Sequence, residues 1–432
     1  MKVDKRKLPE GWKWVKLGEV LAYEQPNKYI VKDEQYDKRH GIPVLTPGKT
    51  FILGFTQEHQ GIYNNIPVII FDDFTTESRY IAFPFKLKSS AVKILRSKCN
   101  FVNLYYVYNS MQLLNFKPGS EHKRFWISEY SKFLIPLPPL PEQRKIAEIL
   151  ETIDNAIEKT DAIIEKYKRI KQGLMQDLLT KGVVNEGEGE SERWRLRDEN
   201  IDKFKDSPLG RIPEEWEVVR LGDMVVKSLG GDWGKENKEN NQYIEAFVLR
   251  GTDLPKAQGG DFSNVQVRYL KENSFKNRKL IKGDILIELS GGSDDQPVGR
   301  IYIHLYDHVE RVCFSNFVRK LVADQNRVIP KYFYWYWLYL YNLGRTAIYE
   351  RRTTGIRNFK YKDFLDNEKI PLPHLPEQQR IASILSQIDE AIEKEQAYKE
   401  KLERIKKGLM EDLLTGKVRV NHLIEEENKD GN

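Results

Sequence analysis

Cysteine is nearly absent: Cys99 and Cys313 are the two in 432 residues, and they lie far apart. That count argues against a disulfide framework or a cysteine-ligated zinc site and points to reduced thiols in a cytoplasmic protein. None of the seven histidines stands at zinc-ligand spacing from another. Apolar runs are short, so no membrane span is expected, and the opening MKVDKRKLPEGWKW has no signal-peptide hydrophobic region. There is no P-loop, and the glycine pairs at 230–231 and 291–292 lack dinucleotide-cradle spacing and read as turns. The Asn-Pro-Pro-aromatic loop of base methyltransferases is missing too, since Pro138 and Pro139 sit between leucines. One carboxylate pair, Asp284 and Glu288, resembles a nuclease core, but no lysine trails it and its alternation suits an ordinary strand. The chain is therefore expected to catalyse nothing and to hold no metal or cofactor of its own.

Neither sign of charge dominates. Seventy Lys and Arg stand against 64 Asp and Glu, and the net +6 permits a polyanion partner without requiring one. With 40% hydrophobic and 11% aromatic residues the chain can build real cores, and its length suggests about two to four domains.

What is present is a repeat. Residues 136–180 (PLPPLPEQRKIAEILETIDNAIEKTDAIIEKYKRIKQGLMQDLLT) align without a gap to residues 371–415 (PLPHLPEQQRIASILSQIDEAIEKEQAYKEKLERIKKGLMEDLLT), with 30 of 45 positions identical. Apolar residues recur at steps of three and four, which describes one stripe on a helix: Ile146, Leu150, Ile153, Ile157 and Leu174 in the first copy, Ile381, Leu385, Ile388, Ile392 and Leu409 in the second. A proline and an acid, Pro141-Glu142 or Pro376-Glu377, suit the first turn. Each rod is roughly 60 Å long and cannot bury its stripe alone. Each could pack on its own globular domain. The near identity of the stripes instead favours an antiparallel pair, a coiled coil about an approximate twofold axis, with a loose seam near Thr160 and Ile164 and their counterparts Glu395 and Lys399.

A second echo frames the repeat. LPEGWKWVKLGEV (residues 8–20) returns as IPEEWEVVRLGDM (residues 212–224), while the inserts between frame and helix differ in length by 31 residues and do not align. Both inserts hold strand-like runs and turns, so the fold class is mixed α/β (α+β): two globular domains separated by two long antiparallel helices, with an internal pseudo-twofold repeat. The expected boundaries are 1–135 (first domain), 136–182 (central helix), 183–210 (a linker containing NEGEGESER), 211–370 (second domain), 371–420 (C-terminal helix) and 421–432 (a disordered tail).

Each insert ends in a basic segment just before its Pro-rich lead. His122, Lys123 and Arg124 mark the first, and Arg351, Arg352, Arg357, Asn358 and Lys360 the second. Cations interleaved with aromatic and amide groups suit phosphates and base edges. Further candidates are Lys49, Thr50, Ser78, Arg79, Arg250, Arg268, Ser290, Arg300 and Arg319. Two other classes are compatible with these residues: a stand-alone nuclease centred on Asp284 and Glu288, and an RNA-binding or scaffolding coiled-coil protein.

The segments PLPPLPEQRKIAEIL, KFKDSPLGRIPEEWEVVRLGDM and GLMQDLLTKG resemble the specificity subunit of type I restriction and modification systems, and the duplicated frame matches that family over nearly the whole chain. The resemblance implies a non-catalytic DNA-recognition subunit with two target recognition domains, each reading one half of an asymmetric bipartite duplex sequence. The helices would then serve as spacer and as dock for two modification (methyltransferase) subunits and, through them, restriction (translocase and endonuclease) subunits. S-adenosylmethionine, ATP and magnesium would belong to those partners.

Overall fold

The computed structural model describes residues 8–48, 50–114, 116, 124–187, 193–293, 295–353 and 356–424. The chain divides into two compact units, one built from residues 1–161 and 397–432, the other from residues 162–396. The division cuts both long helices, Leu140–Thr180 and Leu375–Leu413. Each unit therefore owns the first half of one helix and the last half of the other.

In the first unit the opening strand Lys13–Lys16 pairs antiparallel with the closing strand Leu134–Leu137, which sets Trp14 opposite Pro136. Between them lie a four-stranded sheet, in the order Leu21–Glu24, Val92–Ser97, Val68–Asp72, Ser78–Ile81, and a three-stranded one, Ile52–Thr56, Ile42–Leu45, Lys86–Leu87. The run Val68–Phe71 is fully buried because successive side chains enter two different cores. Ile69 and Phe71 join Trp12, Trp126 and the long helices, while Val68 and Ile70 join Tyr63 and Phe85. The aromatic segment near residue 105 is the helix Leu104–Gln112, started by Asn103, whose side chain accepts the Tyr106 N–H.

The second unit repeats the frame. Strand Glu217–Arg220 pairs with Lys369–Leu372, placing Val218 opposite Pro371. Its insert carries three sheets: Val225–Gly230, Val318–Ala323, Ile285–Glu288, Ile301–Ile303; then Gln266–Lys271, Tyr243–Leu249, Val312–Phe314; then Ser290–Gly291, Ile356–Phe359, Glu350–Thr353. Helix Pro330–Asn342 is apolar on every side and is buried accordingly. Its polar tips still find acceptors, Tyr332 Oη on the Pro371 carbonyl (2.8 Å) and Trp337 Nε1 on that of Gly299 (2.9 Å).

The long helices run antiparallel inside each unit. In the first, Ile146 and Leu150 share a core with Met410, Leu413 and Leu414. In the second, Ile381 and Leu385 share one with Met175, Leu178 and Leu179. Ion pairs fix the register: Asp154 with Lys406 (2.5 Å) and Asp161 with Lys399 (2.7 Å) in the first unit, Lys171 with Asp389 in the second. Steps of seven and ten residues along one helix are answered by equal steps back along the other. Of the stripe, Ile146, Leu150, Ile381, Leu385 and Ile392 are buried, whereas Ile153, Ile157, Leu174, Ile388 and Leu409 are half-buried. Both ways of hiding a stripe are thus used, since the helix pair also inserts into each globular core.

The strongest shared feature is the Pro-Glu-Gln at each helix start. Trp12 Nε1 donates to Glu142 (3.0 Å) and Trp216 Nε1 to Glu377 (3.1 Å). An arginine from beyond the other helix's end closes each site. Arg419 forks onto Glu142 (2.6 and 2.9 Å), and Arg197 grips Glu377 through both Nη atoms. The next residue staples the globular domain. Gln143 accepts from the Asn103 N–H and donates to the carbonyls of Phe101 and Pro138, and Gln378 does the same with Ile329, Arg327 and Pro373.

Two expectations need correction. The described parts of the stretch read as a linker form strands: Val183–Asn185 pairs with Trp194–Leu196 and Phe204–Ser207 with Gly210–Pro213, while residues 188–192 lie outside the described residues. Its polarity misled because Arg197 is matched by the buried Glu377, and Arg195 by Asp202 and Glu186. The tail read as disordered is helical over residues 421–424, where Leu423 packs on the first unit's core beside buried Val420. Residues 425–432 lie outside the described residues.

Candidate nucleic-acid interface

In the second unit, a three-stranded sheet gathers candidates that the sequence separates by up to about 70 positions. Ser290 stands opposite Asn358 and donates to its side-chain oxygen (2.6 Å). Arg351 lies opposite Asn358 on the other side, and Arg352 opposite Arg357. Arg357 donates to the Ser293 carbonyl (2.6 Å) and pairs with Glu350 (3.3 Å), which also meets Arg352 (3.5 Å). Lys360, half exposed, stands 3.8 Å from Asp363. Leu289 ties this sheet to the turn bearing Phe317, an exposed aromatic side chain that no sequence pattern singles out.

Other candidates in this unit are tied to their own chain. Arg300 forks onto buried Glu288 (2.8 and 2.6 Å), and that carboxylate holds the guanidinium pKa above its ordinary value. Gly251 and Gly291 close over the pair: a Cβ at either would come within 2.3 and 2.7 Å of Glu288 Oε1. Arg250 forks onto Asp253 (3.0 and 2.9 Å). Arg268 lies on a different sheet, its guanidinium 4.7 Å from the Trp233 ring centre and its Nε bonded to the Trp233 carbonyl. Arg319 stacks over Tyr361 at 4.9 Å and donates to Ser228.

The carboxylates weighed as a nuclease core are both neutralised, Asp284 by Lys320 (2.5 Å) and Glu288 by Arg300. Among the described residues no three His, Cys, Asp or Glu side chains come together to hold a metal ion.

In the first unit the fold joins two candidates that sequence left apart. Thr50 is exposed beside Phe51, and the Arg79 guanidinium lies 5.7 Å from the centre of the Phe51 ring. Phe83 meets Phe51 edge-on at 6.5 Å. Ser78 is held by Gln112 Nε2 (2.9 Å). Arg124 is exposed and precedes the short helix Phe125–Ser128, which hangs from Asp73: its carbonyl takes the Phe125 N–H and its Oδ1 the Trp126 N–H. Asp73 is buried beside Lys93 (3.3 Å), which in turn reaches Gln25. Sequence gave no sign of this anchor, since Asp72-Asp73 reads as a turn. Lys49, His122 and Lys123 lie outside the described residues.

The two units thus mount unlike polar and cationic surfaces on like frames. Among the described residues, no helix is long and apolar enough to cross a membrane. Residues 9–168 and 213–404 match the family described as the type I restriction modification DNA specificity domain. The specificity subunit of the Escherichia coli type I restriction enzyme EcoR124I/EcoR124II is 32% identical over 387 residues, covering 87% of this chain and 86% of that protein. The MjaVIII specificity subunit of Methanocaldococcus jannaschii is 28% identical over 433 residues, covering 96% and 95%. The fold is similar to the crystal structure of the type I restriction-modification S subunit from M. genitalium, with a TM-score of 0.58 at 14% identity over 96% of this chain and 98% of that one. With both of its repeats matched over most of their length, the chain belongs to the family of type I restriction-modification DNA specificity subunits.

Proposed function

We propose that each unit reads one half of an asymmetric bipartite sequence in double-stranded DNA, and that the paired helices set the unread spacer and dock two modification subunits. The observation that carries this reading is the pairing of one frame with two dissimilar surfaces. Like frames, each closed by a Trp-Glu-Arg site, give equivalent mounts. Unlike inserts give different half-sites.

Lys and Arg contacts to phosphate provide most of the affinity, and a few side chains aimed at base edges provide the choice of sequence. Two heads of this kind enter major grooves roughly 34 Å apart, about one helical turn. Methyl transfer from S-adenosylmethionine to adenine, with the base drawn out of the stack, falls to the modification subunits. Translocation and cleavage with ATP and magnesium fall to restriction subunits. The assembly works in the cytoplasm, where the DNA is.

The test is selection. The chain in complex with its modification subunits is offered pools of random duplex and of RNA at two salt concentrations. The enriched duplexes carry two defined blocks around an undefined spacer and bind about a thousandfold or more tighter than random duplex, with both affinities falling as salt rises. Equal retention of RNA and duplex overturns the reading and favours the RNA-binding alternative.

A further inference from the structure

We infer that Arg79, exposed beside the Phe51 ring, is a base-reading residue of the first unit, and that the chemistry it recognises is the N7 and O6 acceptor pair on the major-groove edge of a guanine. The inference rests on the DNA-reading proposal above and assigns one residue within it.

The candidate arginines differ in what their donors already do. A guanidinium forked onto a carboxylate of its own chain has neither an uncompensated charge nor a free edge. Arg250 on Asp253 and Arg300 on Glu288 are of that kind. Arg268 has its Nε committed to a carbonyl. Arg79 differs, because among the described residues its guanidinium has no hydrogen-bond or carboxylate partner and stands 5.7 Å from the centre of the Phe51 ring. An exposed guanidinium beside a ring, its donors uncommitted, is available for the bidentate contact that guanine accepts.

The mount is equally specific. Strand Ser78–Ile81 is the edge of its sheet. Tyr80 packs on Tyr105 at 4.9 Å, so Arg79 takes the opposite side of the strand, where Phe51 stands. The hydrogen bond from Gln112 to Ser78 steadies the strand just before Arg79. Phe83, which meets Phe51 edge-on, is more than a third exposed. A partly exposed aromatic pair beside an uncompensated cation suits groove contacts, including a thymine methyl.

The test compares Arg79→Ala, Arg79→Lys and Phe51→Leu with the unaltered chain, each in complex with its modification subunits, by duplex selection. Thermal melting runs in parallel and is unchanged for the Arg79 variants, since the side chain is exposed and makes no hydrogen bond among the described residues. Arg79→Ala lowers discrimination at one base pair by roughly 10- to 100-fold. That base pair lies in one block, and the other block keeps its sequence. Arg79→Lys keeps the charge and overall affinity within a few-fold yet loses the same discrimination. Phe51→Leu loses part of it. Unaltered preference at every position in Arg79→Ala overturns the assignment, as does a uniform loss across all sequences with a shallower salt slope, the mark of a phosphate contact. If the unaltered complex selects no bipartite duplex, the DNA-reading proposal falls and this assignment with it.

Discussion

Replacing Arg197 with methionine costs the unit of residues 162–396 about 3–5 kcal/mol of stability. The Glu377 side chain is 7% exposed and sits beneath Arg197, whose own side chain is 6% exposed. The carboxylate also accepts the Trp216 indole N–H (3.1 Å) and the Val183 backbone N–H (2.9 Å). Gly182, at φ +68°, lets the chain pass so close that a Cβ there would come within 2.2 Å of both Glu377 Oε1 and the Trp216 ring. Two neutral N–H donors cannot compensate an ionised carboxylate in so closed a space. The methionine variant therefore leaves a buried charge unpaired, and for a unit of this size its thermal midpoint falls by roughly 6–20 °C.

The double variant Arg197→Met with Glu377→Met removes both charges and recovers a large part of the loss, because it is the orphaned partner that is costly. A loss below about 1 kcal/mol in the single variant, measured by denaturant unfolding, contradicts this account of the site. Arg419→Met has a smaller effect. That side chain is 29% exposed, and water can replace it on Glu142.

The helices were legible in the sequence because their signal is local. Spacing of three and four residues survives in each copy, and duplication shows which positions matter twice. Glu142 and Glu377 were legible too, but only as acids favoured at a helix start; their main partners, Trp12 and Arg419, Trp216 and Arg197, are 130 to 277 residues away. Gln143 and Gln378 gave no warning at all. The same limit governs the interface. Residue type alone cannot separate Arg300, neutralised from the neighbouring strand, from Arg79, left beside a ring. The polar run after Thr180 was misread because solvation and burial against an opposite charge look alike until the partner is placed.

Lengthening both helices by four residues at equivalent midpoints, after Thr160 and after Glu395, moves the unread spacer by about one to two base pairs and abolishes recognition of the original target. Four residues add about 6 Å of rod against about 3.4 Å per base pair. They also add little more than one turn, so the buried stripe stays on its face and the outer ion pairs, Asp154–Lys406 and Lys171–Asp389, keep their partners. A two-residue insertion at the same places is the control. It turns the stripe on one side of each insertion by about 200° relative to the other side, so the two halves of each helix no longer share one apolar face, and gives a chain that fails to assemble. An unchanged spacer in the four-residue variant removes the helices from any role in setting the distance.

Whether one chain carries two different reading heads on a shared double mount is decided by mapping methylated adenines across the genome of a host expressing the modification subunits with and without this chain. Two unlike heads produce a single new motif made of two unlike blocks around a fixed run of unspecified bases, present only with the chain. A continuous motif, two identical blocks, or a methylation pattern that does not depend on the chain would contradict it.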